Sequence, residues 1–352
     1  MGGTTSMWAD GQIPPTDDLD PGPLKVADGK PAAARAFVGR SPGQLAMMRL
    51  RRDRTAVMSF WVLVFFFAVA ILAPVIEWIY GYDANKTDSG LLDDTGSPLG
   101  YLGGITLSSD NSSHHMHILG VEPGLGRDLF MQIVLGLRTS LMIAVVSTVL
   151  ATAIGTVLGI VAAYFGGWVD SVMSWFIDYM LAFPFFLFCL AIIPVINTRI
   201  ADSYGEVSAT KRIVTIIAVF SLFGWMYTAR LVRGQVLSLR EREYVDAARA
   251  AGARPMHVMF RQLLPNLWAP ILVTFSLGIP ATITGEAALA FLNIGVIEPA
   301  PDLGRVISNS QNWLASDPAN LVIPGVVIFV IVLAFNLFGD ALRDALDPKS
   351  SK

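Results

Sequence analysis

Six apolar segments of bilayer length recur along this chain: Ala56 to Ile76, Leu141 to Tyr164, Val172 to Ile196, Ile213 to Leu231, Leu267 to Phe291 and Leu321 to Leu342. About 20 residues of helix span the ~30 Å hydrocarbon layer. Inside that layer every backbone N–H and C=O must be satisfied within the protein, which makes helices the expected form for runs of this length. The expected fold class is therefore an all-α integral membrane protein with six transmembrane helices. Composition agrees: 53% of the 352 residues are hydrophobic and 15% charged, against about 25% charged in a soluble domain. A net charge of −3 argues against nucleic-acid binding. The one cysteine, Cys189, lies in an apolar run, where it reads as a packing group with no disulfide partner in the chain.

Arginine and lysine near the span ends set the expected orientation. Arg49, Arg51, Arg52 and Arg54 precede the first span, seven arginines from Arg230 to Arg261 separate the fourth from the fifth, and Arg343 and Lys349 follow the sixth. The other side is sparser, although Lys211 and Arg212 run against the rule locally. Both termini are thus expected in the cytoplasm. Residues 1–48 are rich in Pro, Gly and Asp and are expected to form a disordered tail, not a signal peptide. Residues 49–136 comprise a basic surface helix, the first span and an extracytoplasmic segment; residues 137–348 hold the remaining five spans; 349–352 are a short tail.

The connector between spans four and five is patterned. Tyr244, Ala247, Ala248 and Ala251 recur at i, i+3, i+4, i+7 and share one helical face. Glu243, Asp246 and Arg249 fall on other faces. Gly252 is a natural helix stop, and Pro255 suits the first turn of the next helix. Met256, Met259, Phe260 and Leu263 repeat the spacing, and Pro265 is expected to end that second helix. The pattern predicts a helical hairpin on the membrane surface, with apolar faces in need of a partner.

Catalytic signatures are absent. The chain contains no G-x-x-x-x-G-K-[ST], G-x-S-x-G, H-E-x-x-H or paired C-x-x-C. Asp178 and Pro184 interrupt the third span and Glu286 the fifth. Lipid exposure of such carboxylates is costly, so they face protein or a water-filled path. Helix-packing hydrogen bonds are the weightier reading of Asp178 and Glu286, and a translocation path or gate is the alternative. Glu286 is expected near the outer end of its span, close to water. His114, His115 and His117 lie in a polar loop without acidic or thiol partners at defined spacing, so no metal site is assigned. Gly124 and Gly126 before Arg127 and Asp128 predict a turn and an amphipathic lead into the second span. Gly155, Gly159 and Ala163 form a small-residue stripe that admits a close neighbour helix.

Asp246-Ala247-Ala248, then Gly252, then Leu264-Pro265 resemble the EAA loop of bacterial ABC importer permeases. Asp246 stands where that loop usually has Glu. Further stretches resemble the C-type permease subunit of dipeptide/oligopeptide importers. These are Ala73-Pro74, His117-Ile118-Leu119-Gly120 through Gly126-Arg127-Asp128, and Gly166-Gly167-Trp168-Val169-Asp170 with Asp178 and Ala182-Phe183-Pro184. Glu286 to Leu292 with Gly295, and Leu337 to Pro348, complete the series. In the second stretch Val121-Glu122 replaces Thr-Asp, and the run is one residue longer than the family pattern.

The resemblance implies a type I ABC importer permease fold, with the hairpin as its coupling helix. It implies a non-catalytic subunit that binds no cofactor itself, with ATP and Mg on partner chains. The implied partners are a homologous permease subunit, two ATPase subunits, an extracytoplasmic substrate-binding protein or lipoprotein, and membrane lipid. The implied location is the bacterial plasma membrane. Tyr244, Ala247, Ala248 and Ala251 would pack on the ATPase, Asp246, Arg249 and Arg254 would supply charge, and Gly252 would set the turn, with Leu264 and Pro265 closing the motif. Di- and oligopeptides are the implied substrates; nickel, glutathione or another small solute is the alternative. An ion-coupled secondary transporter is the rival of another class, and a non-transporting scaffold a third.

Overall fold

The computed structural model describes residues 42–99, 117–298 and 300–347. Among the described residues, five helices are long and apolar enough to cross a membrane singly: Arg54–Tyr80 (α2), Leu129–Phe165 (α3), Ala209–Leu239 (α6), Pro255–Phe291 and Ala319–Leu346 (α11). A bent pair, Gly167–Ala182 (α4) and Phe185–Ile200 (α5), makes a sixth span if counted as one. The chain is a multi-pass, all-helical membrane protein. The 1–48 tail and the 349–352 tail fall outside the described residues, except that Pro42–Arg52 forms a short helix (α1).

The helices outrun the apolar stretches, because capping chemistry and not hydropathy sets their ends. Asp53 accepts a bond from the Thr55 N–H at 2.8 Å and starts α2, which ends at Gly81 in the left-handed region (φ 73°). Asp128 accepts from the Met131 N–H at 2.8 Å and starts α3 at Leu129, not at Leu141. The expected lead into the second span is thus the first turns of that span itself.

The third segment is not one straight helix. α4 and α5 meet at 85°. Phe183 is extended (φ −77°, ψ 134°) because the ring of Pro184 disfavours helical geometry in the residue before it. Pro184 also lacks the N–H that would carry a helix across the junction.

α3 is the central element. Its closest neighbour is α6: a Cβ on Gly155 would lie 2.4 Å from the Trp225 carbonyl oxygen, and one on Gly159 2.7 Å from that of Ala229. Such backbone approach is how membrane helices gain dispersion contact where lipid offers no hydrophobic drive. On its other sides α3 packs against α2 and against Leu264–Phe291 (α9), and α11 closes the group. Leu63, Leu137, Leu141, Ile279, Ile283 and Phe335 fill the space between them.

Candidate functional site

The hairpin hangs from the end of α6. Arg240 Nη1 donates to the Ala163 carbonyl at 2.8 Å and fixes that end against α3. Glu243–Ala250 (α7) follows, with Glu243 and Asp246 in its first turn, where the helix dipole favours negative charge. Gly252 adopts φ 80°; its N–H reaches the Arg249 carbonyl and the Ala253 N–H the Ala248 carbonyl, the paired closure of a Schellman stop. Pro255 then opens Pro255–His257 (α8) at the first helical position.

Pro265 does not end the second helix. Val258–Leu263 winds as a π-helix, with the Leu264 N–H bonded to the Met259 carbonyl five residues back, and the helix runs on as α9. The wider turn accommodates Pro265, which sits at the start of α9. The second limb of the hairpin is therefore the first part of the fifth span. The stripe of Met256, Met259, Phe260 and Leu263 divides accordingly. Met259 and Leu263 are buried with Val245, Val258 and Leu267, whereas Met256 and Phe260 are exposed.

Tyr244, Asp246, Ala247, Arg249, Ala251, Gly252, Arg254 and Pro265 are also exposed, and Ala248 and Leu264 half-buried. The structure thus leaves most of the expected coupling residues at the surface, with Arg249 turned toward Tyr164 of α3. Val245, absent from the sequence reading, holds that surface to the bundle. Its signal was available, since Val245 and Arg249 lie on the faces left over by the alanine stripe. Arg249 stands 5.1 Å from the Tyr164 ring centroid and 3.7 Å from Asp246.

A column of charge rises from this end between α4 and α6. Arg233 bonds Asp170 at 2.5 Å and 2.8 Å, and Arg230 pairs with Asp178. The sequence reading named Asp178 without its partner. Pro184 marks the bend above it. Glu286 lies elsewhere, fully buried near Asp302 and Ser140, out of reach of the water expected at the outer end of its span.

At the opposite end, residues 82–99 and 117–128 are tied to each other and to α3, the Asp88 N–H donating to the Gly126 carbonyl and Gln132 Nε2 to the Ala84 carbonyl at 2.6 Å. His117 Nδ1 meets Asp128 Oδ2 at 2.7 Å, and Tyr80 donates to the same oxygen at 2.9 Å. Arg127 joins Glu122 at 2.6 Å and Glu298 at 2.9 Å, and Asn309 donates to Glu122. The turn at Gly126 is required: at φ 67°, a Cβ there would stand 2.2 Å from the Asp88 carbonyl oxygen. His114 and His115 lie outside the described residues, and His117 is committed to Asp128. Asp302 Oδ1 accepts from Ser140 at 3.0 Å and from the Gly304 N–H at 3.1 Å, capping Leu303–Ser310 (α10). Burial pushes its carboxyl above the usual carboxylate range.

Residues 155–352 match the family described as binding-protein-dependent transport system inner membrane component. Residues 41–95 match the N-terminal TM domain of oligopeptide transport permease C. The chain is 34% identical to the dipeptide transport system permease protein DppC of Alkalihalophilus pseudofirmus, over 89% of this chain and 92% of that one. It is 33% identical to the glutathione transport system permease protein GsiD of Pectobacterium atrosepticum, over 88% and 92%. Among solved structures, the MetNI methionine ABC transporter in inward-facing form overlaps 62% of this chain and 98% of its own, at TM-score 0.49 and 17% identity.

Proposed function

The chain belongs to the family of binding-protein-dependent transport system inner membrane components, and from that premise we propose that it is the permease subunit of an ATP-driven importer of di- or oligopeptides, coupled to its ATPase through the hairpin. One observation carries the coupling. The hairpin is anchored inward by Val245, Val258, Met259 and Leu263, yet exposes Tyr244, Met256 and Phe260 beside Asp246, Arg249 and Arg254 at a polar end of the molecule. An apolar patch rimmed by charge is the form of a protein-docking surface. Force applied there passes directly into two spans, because α9 is continuous with the second limb and Arg240 ties the first limb to α3. Nucleotide binding on a partner would bias the bundle between two states through that contact.

On this reading the chain is not itself an enzyme. ATP and Mg sit on two ATPase subunits, a second permease chain completes the path, and a substrate-binding protein delivers the solute from the other side. The hairpin end and both termini face the cytoplasm. The dipeptide relative supports peptides as substrate. The glutathione relative, nearly as similar, carries a second reading, and both solutes present free amino and carboxylate groups.

The test is reconstitution of the native complex in proteoliposomes, with photo-cross-linking from Ala248 and Arg254. The expected result is capture of a nucleotide-binding polypeptide and dipeptide uptake that requires ATP. Uptake that follows an ion gradient and ignores ATP would overturn the proposal.

A further inference from the structure

Arg49, Arg51, Arg52 and Arg54 crowd the chain just before its first apolar run, and the structure sorts them. α1 packs on α11 through an inward stripe in which Ala46 is buried and Arg49 and Leu50 are half-buried. Arg49 Nη1 donates to the Asp347 carbonyl at 3.0 Å and ties α1 to the end of α11. Arg51, Arg52 and Arg54 are exposed, and none of them forms an ion pair among the described residues. Asp53, which stands among them, turns its carboxylate to the Thr55 and Ala56 N–H groups. The neighbouring end of α11 is not basic: it exposes Asp340 and Asp344 with Arg343. The uncompensated positive charge beside the first span is therefore that of α1 and Arg54.

Depth follows from connectivity. α2 runs from Arg54 to Tyr80, whose hydroxyl bonds Asp128 at the start of α3. The arginines thus lie at the other end of α2, the hairpin end. Ala56 opens the apolar run two residues after Arg54, about 3 Å along a helix, and the exposed Met58 and Trp61 follow it. A bilayer around this span sets the three arginines at the level of the lipid phosphates. The rest of α1 exposes Leu45, Met47 and Met48. Large apolar side chains mixed with arginine suit the boundary between headgroups and acyl chains, where the guanidinium reaches outward and its stem stays apolar. We propose that α1 is a docking surface for anionic phospholipid in the leaflet at the hairpin end, with Arg51, Arg52 and Arg54 on the headgroup phosphates and Leu45, Met47 and Met48 among the upper acyl chains. The guanidinium fork matches phosphate oxygens. The attraction adds up charge by charge, favours a net negative lipid over a zwitterionic one, and is screened by salt. The Arg49 bond carries that grip to the end of α11. The inference stands apart from the importer reading, since it needs only a bilayer.

The experiment uses the full chain in detergent, with bound lipid measured by native mass spectrometry. Dioleoyl phosphatidylglycerol is expected to bind at least about tenfold more tightly than dioleoyl phosphatidylcholine, a ratio that shrinks as salt rises. Changing Arg51, Arg52 and Arg54 together to Gln should abolish the preference, and changing them together to Lys should keep most of it. Arg138→Gln, an exposed arginine near the start of α3, should leave it intact. Glycerol 3-phosphate in excess should not displace the lipid. In a second arm, which needs no arginine variant, a fluorophore is attached to Met47→Cys; Cys189 is fully buried, so the added thiol reacts alone. In phosphatidylglycerol vesicles the probe should emit to the blue and be quenched by spin-labelled acyl chains. A preference that survives the glutamine variant, or that Arg138→Gln removes equally, overturns the site. Displacement by glycerol 3-phosphate makes it a site for a soluble phosphate and overturns the lipid. A probe that stays in water, or one shifted to the blue but not quenched because a protein covers it, overturns the docking surface.

Discussion

Arg233 grips Asp170 with two parallel bonds, Nε to Oδ1 at 2.5 Å and Nη2 to Oδ2 at 2.8 Å, and so ties the first half of the bent pair to α6 across 63 residues of sequence. The pair is mostly enclosed, so removing one member strands the other. Arg233→Gln is expected to destabilise the protein by about 2 kcal/mol, and Arg233→Lys by nearly as much, because an ammonium cannot reproduce the fork. Thermal melting in detergent checks this. Asp178→Asn, which breaks a pair more than half exposed, should leave the melting temperature almost unchanged.

The contact between α3 and α6 depends on glycine. A Cβ at Gly155 would meet the Trp225 carbonyl oxygen at 2.4 Å, and at Gly159 the Ala229 carbonyl oxygen at 2.7 Å. Gly155→Ala should cost about 1–3 kcal/mol through overpacking, and Gly155→Leu should prevent recovery of folded protein. Gly234 faces open space, so Gly234→Ala is the control and should melt normally. Yield by size-exclusion chromatography and melting temperature distinguish the cases.

The hairpin turn makes a functional prediction. Proline fixes φ near −65°, whereas Gly252 stands at 80° with open space around it. Gly252→Pro should therefore distort the turn without disturbing the spans. Ala248→Glu should place a charge at the half-buried member of the alanine stripe. Both variants are expected to insert in the membrane at normal levels and to lose transport, measured by immunoblot and solute uptake. Normal uptake in both would remove the coupling claim.

Asp302 predicts a pH dependence of stability. Burial, the largest influence, raises its carboxyl against the lowering effects of Glu286, Ser140, the Gly304 N–H and Arg305. The native state then holds this proton at pH values where the unfolded chain has released it. Its stabilisation is complete below the ordinary carboxylate range, about pH 3.9, and is lost as pH rises through the raised value. Asp302→Asn keeps the acceptor oxygen for Ser140 but cannot ionise. Its melting temperature should fall less than the wild type's between mildly acidic and neutral pH. Parallel curves for the two proteins would refute the assignment.

The chain's own order of residues determined what depends on near neighbours. Long apolar runs located the spans, Gly252 and Pro255 located the hairpin turn, and the Gly155–Gly159 spacing foretold a close helix contact, because hydropathy, proline geometry and left-handed glycine act within a few residues. The course of the helix through Pro265 was not legible, since it depends on a π turn whose buried side chains pack on α3 and α6. The same limit hid the 85° bend, which the proline marked but whose size is set by packing on both sides of it. Asp178 and Glu286 make the point most directly. In the sequence they are two carboxylates in apolar runs. The fold leaves one paired with Arg230 and bare, and seals the other beside Asp302, because burial and partnership come from helices brought together across many residues, a contact that no local pattern encodes.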